Sequence, residues 1–140
     1  MKKILIAFVA VIIVAACSRK PENLELFSAE SFAYSMNDGW EANASVRVKG
    51  FDQKEMNGKY SASLSYTVDL QLPDGVMLWK IDSGVLEKTS AEKMTDLPVN
   101  TQIELNSNKF KTGTYKIIFN IVDKPTGKKG SLWSFFELTN

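Results

Sequence analysis

The chain has 140 residues, 17 of them Lys or Arg against 16 Asp or Glu, with no histidine and a single cysteine. A charge this close to balance leaves no basic footprint for nucleic acid, and without imidazole the commonest general base and the main nitrogen ligand for transition metals are gone. One cysteine cannot form an internal disulfide, so any domain here must be held by its core.

In chain order, Lys2 and Lys3 come first, followed by an uncharged apolar run from Ile4 to Ala16 and then Cys17. A positive start, a short apolar stretch and small residues at its end form the layout of a secretory signal. Crossing a bilayer core takes roughly 20 apolar residues, more than this run supplies. The run also has no amphipathic period, which argues against a core helix.

Val14-Ala15-Ala16-Cys17 resembles the lipobox of bacterial lipoproteins, an aliphatic residue and two small ones before an invariant cysteine. The resemblance implies a diacylglyceryl group on the Cys17 sulfur, cleavage before that residue, and palmitate-type acylation of the new amino terminus. Residues 1–16 would then be a signal helix and 17–23 a lipidated tether. Ser18 in place of Asp implies outer-membrane delivery if the host is Gram-negative. Several acyl chains, at about 0.8 kcal/mol per buried methylene, anchor stably where one would not. The only thiol is thereby read as the membrane attachment. Removing Lys2 and Lys3 with the signal leaves 15 basic residues against 16 acidic ones.

Ser18 to Asn23 is polar and contains Pro21, as a short linker would. Residues 24–140 suit one domain, without repeats or low-complexity tracts. Leu24 to Tyr34 is the first expected strand. Trp40, Ala42, Ala44, Val46 and Val48 then alternate with polar residues. Tyr60, Ala62, Leu64, Tyr66, Val68, Leu70 and Leu72 alternate with Ser61, Ser63, Ser65, Thr67, Asp69 and Gln71. Period two with one wet face marks antiparallel strands. Val76 to Glu87, with Met77, Trp79 and Ile81 expected in the core, and Val99 to Leu105 continue the series. Between them, the composition of Ser90 to Met94 favours a helical turn. Tyr115, Ile117, Phe119 and Ile121 repeat the alternation, and Leu132 to Leu138 closes it, for about seven strands in an all-β fold. Asn37-Asp38-Gly39, Asn57-Gly58, Pro73-Asp74-Gly75 and Pro125-Thr126-Gly127 supply the turns.

The stretch F-K-T-G-T-Y-K-I-I-F-N-I-V-D, followed by the Lys124 to Lys128 hairpin, resembles the last two strands of immunoglobulin-like domains in bacterial surface and periplasmic proteins. The resemblance implies an antiparallel sandwich in which Tyr115 is a tyrosine corner, its ring in the core and its hydroxyl bonded to upstream backbone. It departs from antibody domains in lacking their cysteine pair. Asn57-Gly58 pulls against this topology: a tight hairpin there would set the strands ending at Phe51 and starting at Tyr60 side by side, as in a meandering barrel.

Catalytic patterns are thin. Ser90-Ala91-Glu92-Lys93 and Lys111-Thr112-Gly113 match two motifs of penicillin-recognising enzymes, but they sit too close together and lack a helical subdomain for the serine. The acids are scattered singly, without a calcium-loop spacing, and no two stand out as a glycosidase pair. Asn43-Ala44-Ser45 fits a glycosylation acceptor but falls within a strand of a bacterial-type chain. No catalytic residue, cofactor or metal is expected. Aromatic residues are the better lead. If Tyr115 to Ile121 faces the core on alternate positions, Ile118 and Val122 face outward, and the partner strand adds Trp133 and Phe135 to the same side. These four form the expected interaction patch, unless Leu24 to Phe32 or Ser90 to Leu97 covers it. The expected protein is a non-catalytic, lipid-anchored module that binds another envelope protein, with a carbohydrate-binding or enzyme-inhibitor module as the alternative.

Overall fold

The computed structural model describes residues 23–140; the signal segment 1–16 with its expected helix, Cys17 and the tether as far as Glu22 lie outside the described residues. Eight strands follow in order: β1 (Glu25–Met36), β2 (Gly39–Lys49), β3 (Lys54–Met56), β4 (Lys59–Gln71), β5 (Met77–Ser90), β6 (Leu97–Asn106), β7 (Gly113–Asp123) and β8 (Lys129–Leu138). All their pairings are antiparallel. One sheet has the order β1-β2-β6. In the other, β4 is central: β5 lies along one side, β3 and then β7 along the other, and β8 beyond β7.

Alternation decides what is buried. Val46 and Val48 from β2, Leu64, Val68 and Leu70 from β4, and Ile117, Phe119 and Ile121 from β7 are almost wholly buried and belong to one core cluster shared by both sheets. Each such side chain contributes roughly 1.5–3 kcal/mol on leaving water, which offsets much of the cost of ordering its strand.

Asn57 and Gly58 have φ of 53° and 74°, the left-handed pair that a two-residue hairpin requires. The hairpin they close is β3–β4, and β2 lies in the opposite sheet from β4. The short exposed strand Lys-Glu-Met thus resolves the topological conflict and brings the strand count to eight. No helix occurs among the described residues, so the turn expected at Ser90 to Met94 is absent. The Gln53 side chain explains it: its Oε1 accepts from the Met94 N–H at 2.7 Å and its Nε2 donates to the Met94 carbonyl at 2.8 Å. Both backbone groups that a helix would use are already taken.

Tyr115 is buried, with its ring stacked on Phe136 at 5.6 Å between centroids. Its hydroxyl donates to the Lys111 carbonyl at 2.7 Å and accepts from the Lys111 N–H at 3.2 Å. The expected corner is present: the chain folds back over its own strand start.

Two strands break their alternation. In β5 the register against β4 shifts between Val68 and Leu70, and Lys80 takes φ 52°. Leu78 and Ile81, three apart, both pack against the core, and Trp79 is 70% exposed instead of buried. In β1 the shift falls between Phe27 and Glu30, with Ser28 at φ 51°. Leu26 and Ala29 pack inward, which turns Phe32, Tyr34 and Met36 to solvent. An extra residue in one strand of a pair exchanges its two faces from that point on.

The sheets meet at a seam where β1 runs alongside β8 in the same direction. Near its start, a Cβ placed on Gly130 would lie 2.5 Å from Leu26 Cδ1. Further along, the Ser31 hydroxyl donates to Ser134 Oγ at 2.8 Å, and at the far end the Trp40 indole N–H donates to the Thr139 carbonyl at 2.8 Å.

Candidate interaction face

The outer side of β7 and β8 is set by register. Ile118 stands opposite Trp133, Lys116 opposite Phe135, and Val122 opposite Lys129. The first two rungs put Ile118, Trp133 and Phe135 together, while Val122 lies four residues along the strand, on the order of 13 Å away at 3.3 Å per residue. Trp133 is 49% and Phe135 60% exposed, so neither β1 nor the connection before β6 covers them. The Lys116 ammonium lies 4.3 Å from the Trp133 ring centroid and 6.0 Å from that of Phe135. Held over two aromatic faces, it is worth about 0.5–1 kcal/mol at an exposed site and fixes the rings relative to the sheet.

Across the sheet the row continues from Trp133 through Ile118 to Asp69, and then to the β5 bulge. Asp69 belongs to the wet side of β4 but is buried, because both its oxygens are used. Oδ1 accepts from the Lys80 N–H at 2.9 Å, and Oδ2 from Asn120 Nδ2 at 2.8 Å. A carboxylate that takes two such bonds compensates its own desolvation, and here it also holds the bulge that turns Trp79 outward. Trp79 and Trp133 thus lie near opposite ends of one row spanning four strands, about 14 Å apart at 4.8 Å per strand.

On the far side of the seam, Phe32 and Tyr34 form an edge-to-face pair at 5.1 Å. They were not legible as surface residues because the Ser28 bulge that exposes them leaves no mark in the composition. Asp69 carried the one usable signal: an acid two residues from the end of a strand face otherwise lined by hydroxyls and Gln71 needs a local partner.

These aromatic residues lie between the middle of the strands and one end of the molecule. β1 rises from Glu25 toward Met36 and β8 runs with it, so Phe32, Tyr34 and Phe135 lie beyond mid-strand as seen from Asn23, and Trp133 lies at mid-strand, opposite Ile118 at the centre of β7. Trp79 sits on the same level, through the rungs that join Met77, Gln71, Lys116 and Phe135.

The described residues therefore define an antiparallel all-β domain with its N-terminal entry at one end and an aromatic surface toward the other. Residues 1–18 match the model of the prokaryotic membrane lipoprotein lipid attachment site, so the chain carries the signal of a lipid-anchored envelope protein. No curated protein matches the chain. Among the described residues no helix is long and apolar enough to cross a membrane, and no group of three or more His, Cys, Asp or Glu residues could hold a metal ion.

Proposed function

We propose that the protein is a non-catalytic lipoprotein, tethered through acylated Cys17, whose immunoglobulin-like sandwich offers its exposed aromatic face to another protein of the cell envelope. The observation that carries this reading is the side-by-side exposure of Trp133 and Phe135, braced by Lys116, on an outer sheet face away from the point where the chain enters the domain. Large aromatic residues are the preferred anchors of protein interfaces. The sandwich is supported by pairings between strands distant in sequence, β2 with β6 and β4 with β7, where a meandering barrel would join neighbours. The Tyr115 corner supports the immunoglobulin-like variant. Ser18 after the cysteine favours the outer membrane of a Gram-negative host.

A protein partner is favoured over carbohydrate because the Lys116 ammonium occupies a face of Trp133 on which a sugar ring would stack. Two measurements test the reading. The intact mass should correspond to a chain beginning at residue 17 with acyl chains attached; a mass that retains residues 1–16, or lacks acyl chains, overturns the tether. A photo-crosslinking residue at position 135 in living cells should give one discrete protein adduct, lost in Trp133→Ala while the urea melt stays unchanged. Adducts no different from those formed at Thr89, on the other half of the molecule, would overturn the interface.

A further inference from the structure

We propose that an open cleft at the tether end of the domain binds the phosphoethanolamine headgroup of a membrane phospholipid, with the ammonium toward Asp52 and Glu55 and the phosphate toward Lys93 and Lys128. The cleft, of about 640 Å³, lies between the β2–β3 connection, the start of β4, the β5–β6 connection and the β7–β8 turn. Gly50, Phe51, Gln53, Tyr60 and Thr126 complete its lining. The size falls within the range of about 300–1,000 Å³ usual for small-molecule sites.

Position is the first argument. The Asn23 carbonyl is packed so closely against Gly50, which has φ +78°, that a Cβ there would lie 2.1 Å from it. The chain therefore enters the domain at the edge of the cleft. Six residue steps separate Asn23 from Cys17, at most about 20 Å of extended chain. With Cys17 lipidated, the cleft is held within about 20 Å of the membrane surface, where even a weak site meets lipid at high local concentration. This step rests on the lipid-anchored reading.

Charge is the second. The lining carries two carboxylates and two ammonium groups, which suits a ligand bearing both signs. Asp123 is wholly buried behind this lining. Its Oδ2 accepts from the Asp52 N–H at 3.0 Å and from the Thr126 hydroxyl at 2.7 Å, whereas Oδ1 has no hydrogen-bond donor among the described residues. A buried carboxylate with one oxygen unserved keeps an uncompensated negative field, which draws a cation to the Asp52 side. Asp52, Glu55 and the buried Asp123 are not grouped as ligands of a metal ion would be, so an organic cation is the better fit. A primary ammonium supplies three N–H donors, whereas the quaternary ammonium of choline supplies none.

The walls are also tied together. Gln53 holds Met94 through both backbone groups, fixing Lys93 relative to Asp52. The Asp123 N–H donates to the Lys128 carbonyl at 2.9 Å and the Asp123 carbonyl accepts from the Gly127 N–H at 2.7 Å, fixing the turn that carries Thr126 and Lys128.

The test uses the full lipidated protein in nanodiscs of phosphatidylglycerol, alone or mixed with phosphatidylethanolamine or phosphatidylcholine, read by amide NMR at Asp52, Gln53 and Thr126. Shifts are expected with phosphatidylethanolamine only, and Lys93→Ala or Glu55→Gln should each weaken the response about tenfold, the loss of one charge-assisted contact. Both substituted residues are exposed, so urea melts of the variants should match wild type. Equal shifts in all three membranes, or variants that respond like wild type, overturn the site. Glycerophosphoethanolamine added to Cys17→Ser protein should reproduce the shifts, which separates failure of the site from failure of the anchor. The same shifts with inorganic phosphate alone would show a free-phosphate site and overturn the headgroup.

Discussion

β5 and β7 are both bonded to β4, one on each side, and they obey different rules. β7 has a neighbour on both edges, and every odd position from Tyr115 to Asp123 is buried. β5 has β4 alone, and it buckles at Lys80 so that a tryptophan on an apolar segment ends in solvent. A strand gripped from both sides cannot insert a residue without losing bonds on both, whereas an edge strand loses few and gains the freedom to re-aim a side chain. Hydrophobic alternation is thus a dependable guide in the middle of a sheet, whereas at its margin it holds in β6 and β8 and fails in β5 and β1.

The largest expected effect lies in the doubly gripped strand. Tyr115→Ala should cost about 3–5 kcal/mol in a urea melt, as for a large aromatic truncation in a core. A loss below 1 kcal/mol would mean that β7 is no more constrained than β5.

Next comes the device that shapes the edge. Asp69→Ala removes two hydrogen bonds to a charged acceptor and should cost about 2–3 kcal/mol. Trp79 fluorescence should change with it, in a background where Trp40 and Trp133 are replaced by phenylalanine. A change in stability without a change in fluorescence would show that the bulge holds its form unaided.

Tyr115→Phe keeps the ring and should cost only about 0.5–1.5 kcal/mol, the net value of one hydrogen bond. Burial raises the pKa of this hydroxyl above its ordinary value of 10.0, and the negative charge of Asp74 adds to the rise, while the bond to the Lys111 backbone works against it. Because the folded state holds the proton more tightly than the unfolded one, this contribution is complete below about pH 10 and is lost as pH climbs through the folded value. The difference between wild type and Tyr115→Phe should therefore stay level up to about pH 10 and narrow above it. A difference that widened would reverse the assignment.

Trp79→Ala should be the mildest, within about 0.5 kcal/mol of wild type, as usual for exposed positions. A cost of several kcal/mol would return Trp79 to the core and erase the contrast between the strands.

The same contrast sets how much could be read in advance. Tyr115, Ile117, Phe119 and Ile121 were legible because their environment repeats every two residues. The bond from the Tyr115 hydroxyl to upstream backbone was expected only through the resemblance to immunoglobulin-like domains. Outward placement of Ile118, Trp133 and Phe135 followed from the same periodicity, and Val122 separated from them only once the register was known. Trp79, Phe32 and Tyr34 were illegible as exposed residues because each depends on one backbone inversion, at Lys80 or Ser28, where glycine would have been the usual warning. The strand Lys54–Met56 escaped because three exposed residues, two charged and one methionine, carry no period at all. Asp123 read as the end of a strand, and only the folded chain brings Asp52 and Thr126 to it.

The entry of the chain beside Gly50 has a mechanical consequence. A pull between the membrane and a partner held at Trp133 would act at two points separated roughly along the direction of the strands. The ladder between β1 and β2 and the side-chain bonds between β1 and β8 would then be loaded in shear, many sharing the force at once, instead of peeling open one rung at a time. In that geometry the link resists sudden tension more strongly than the modest strength of any one of its bonds would suggest.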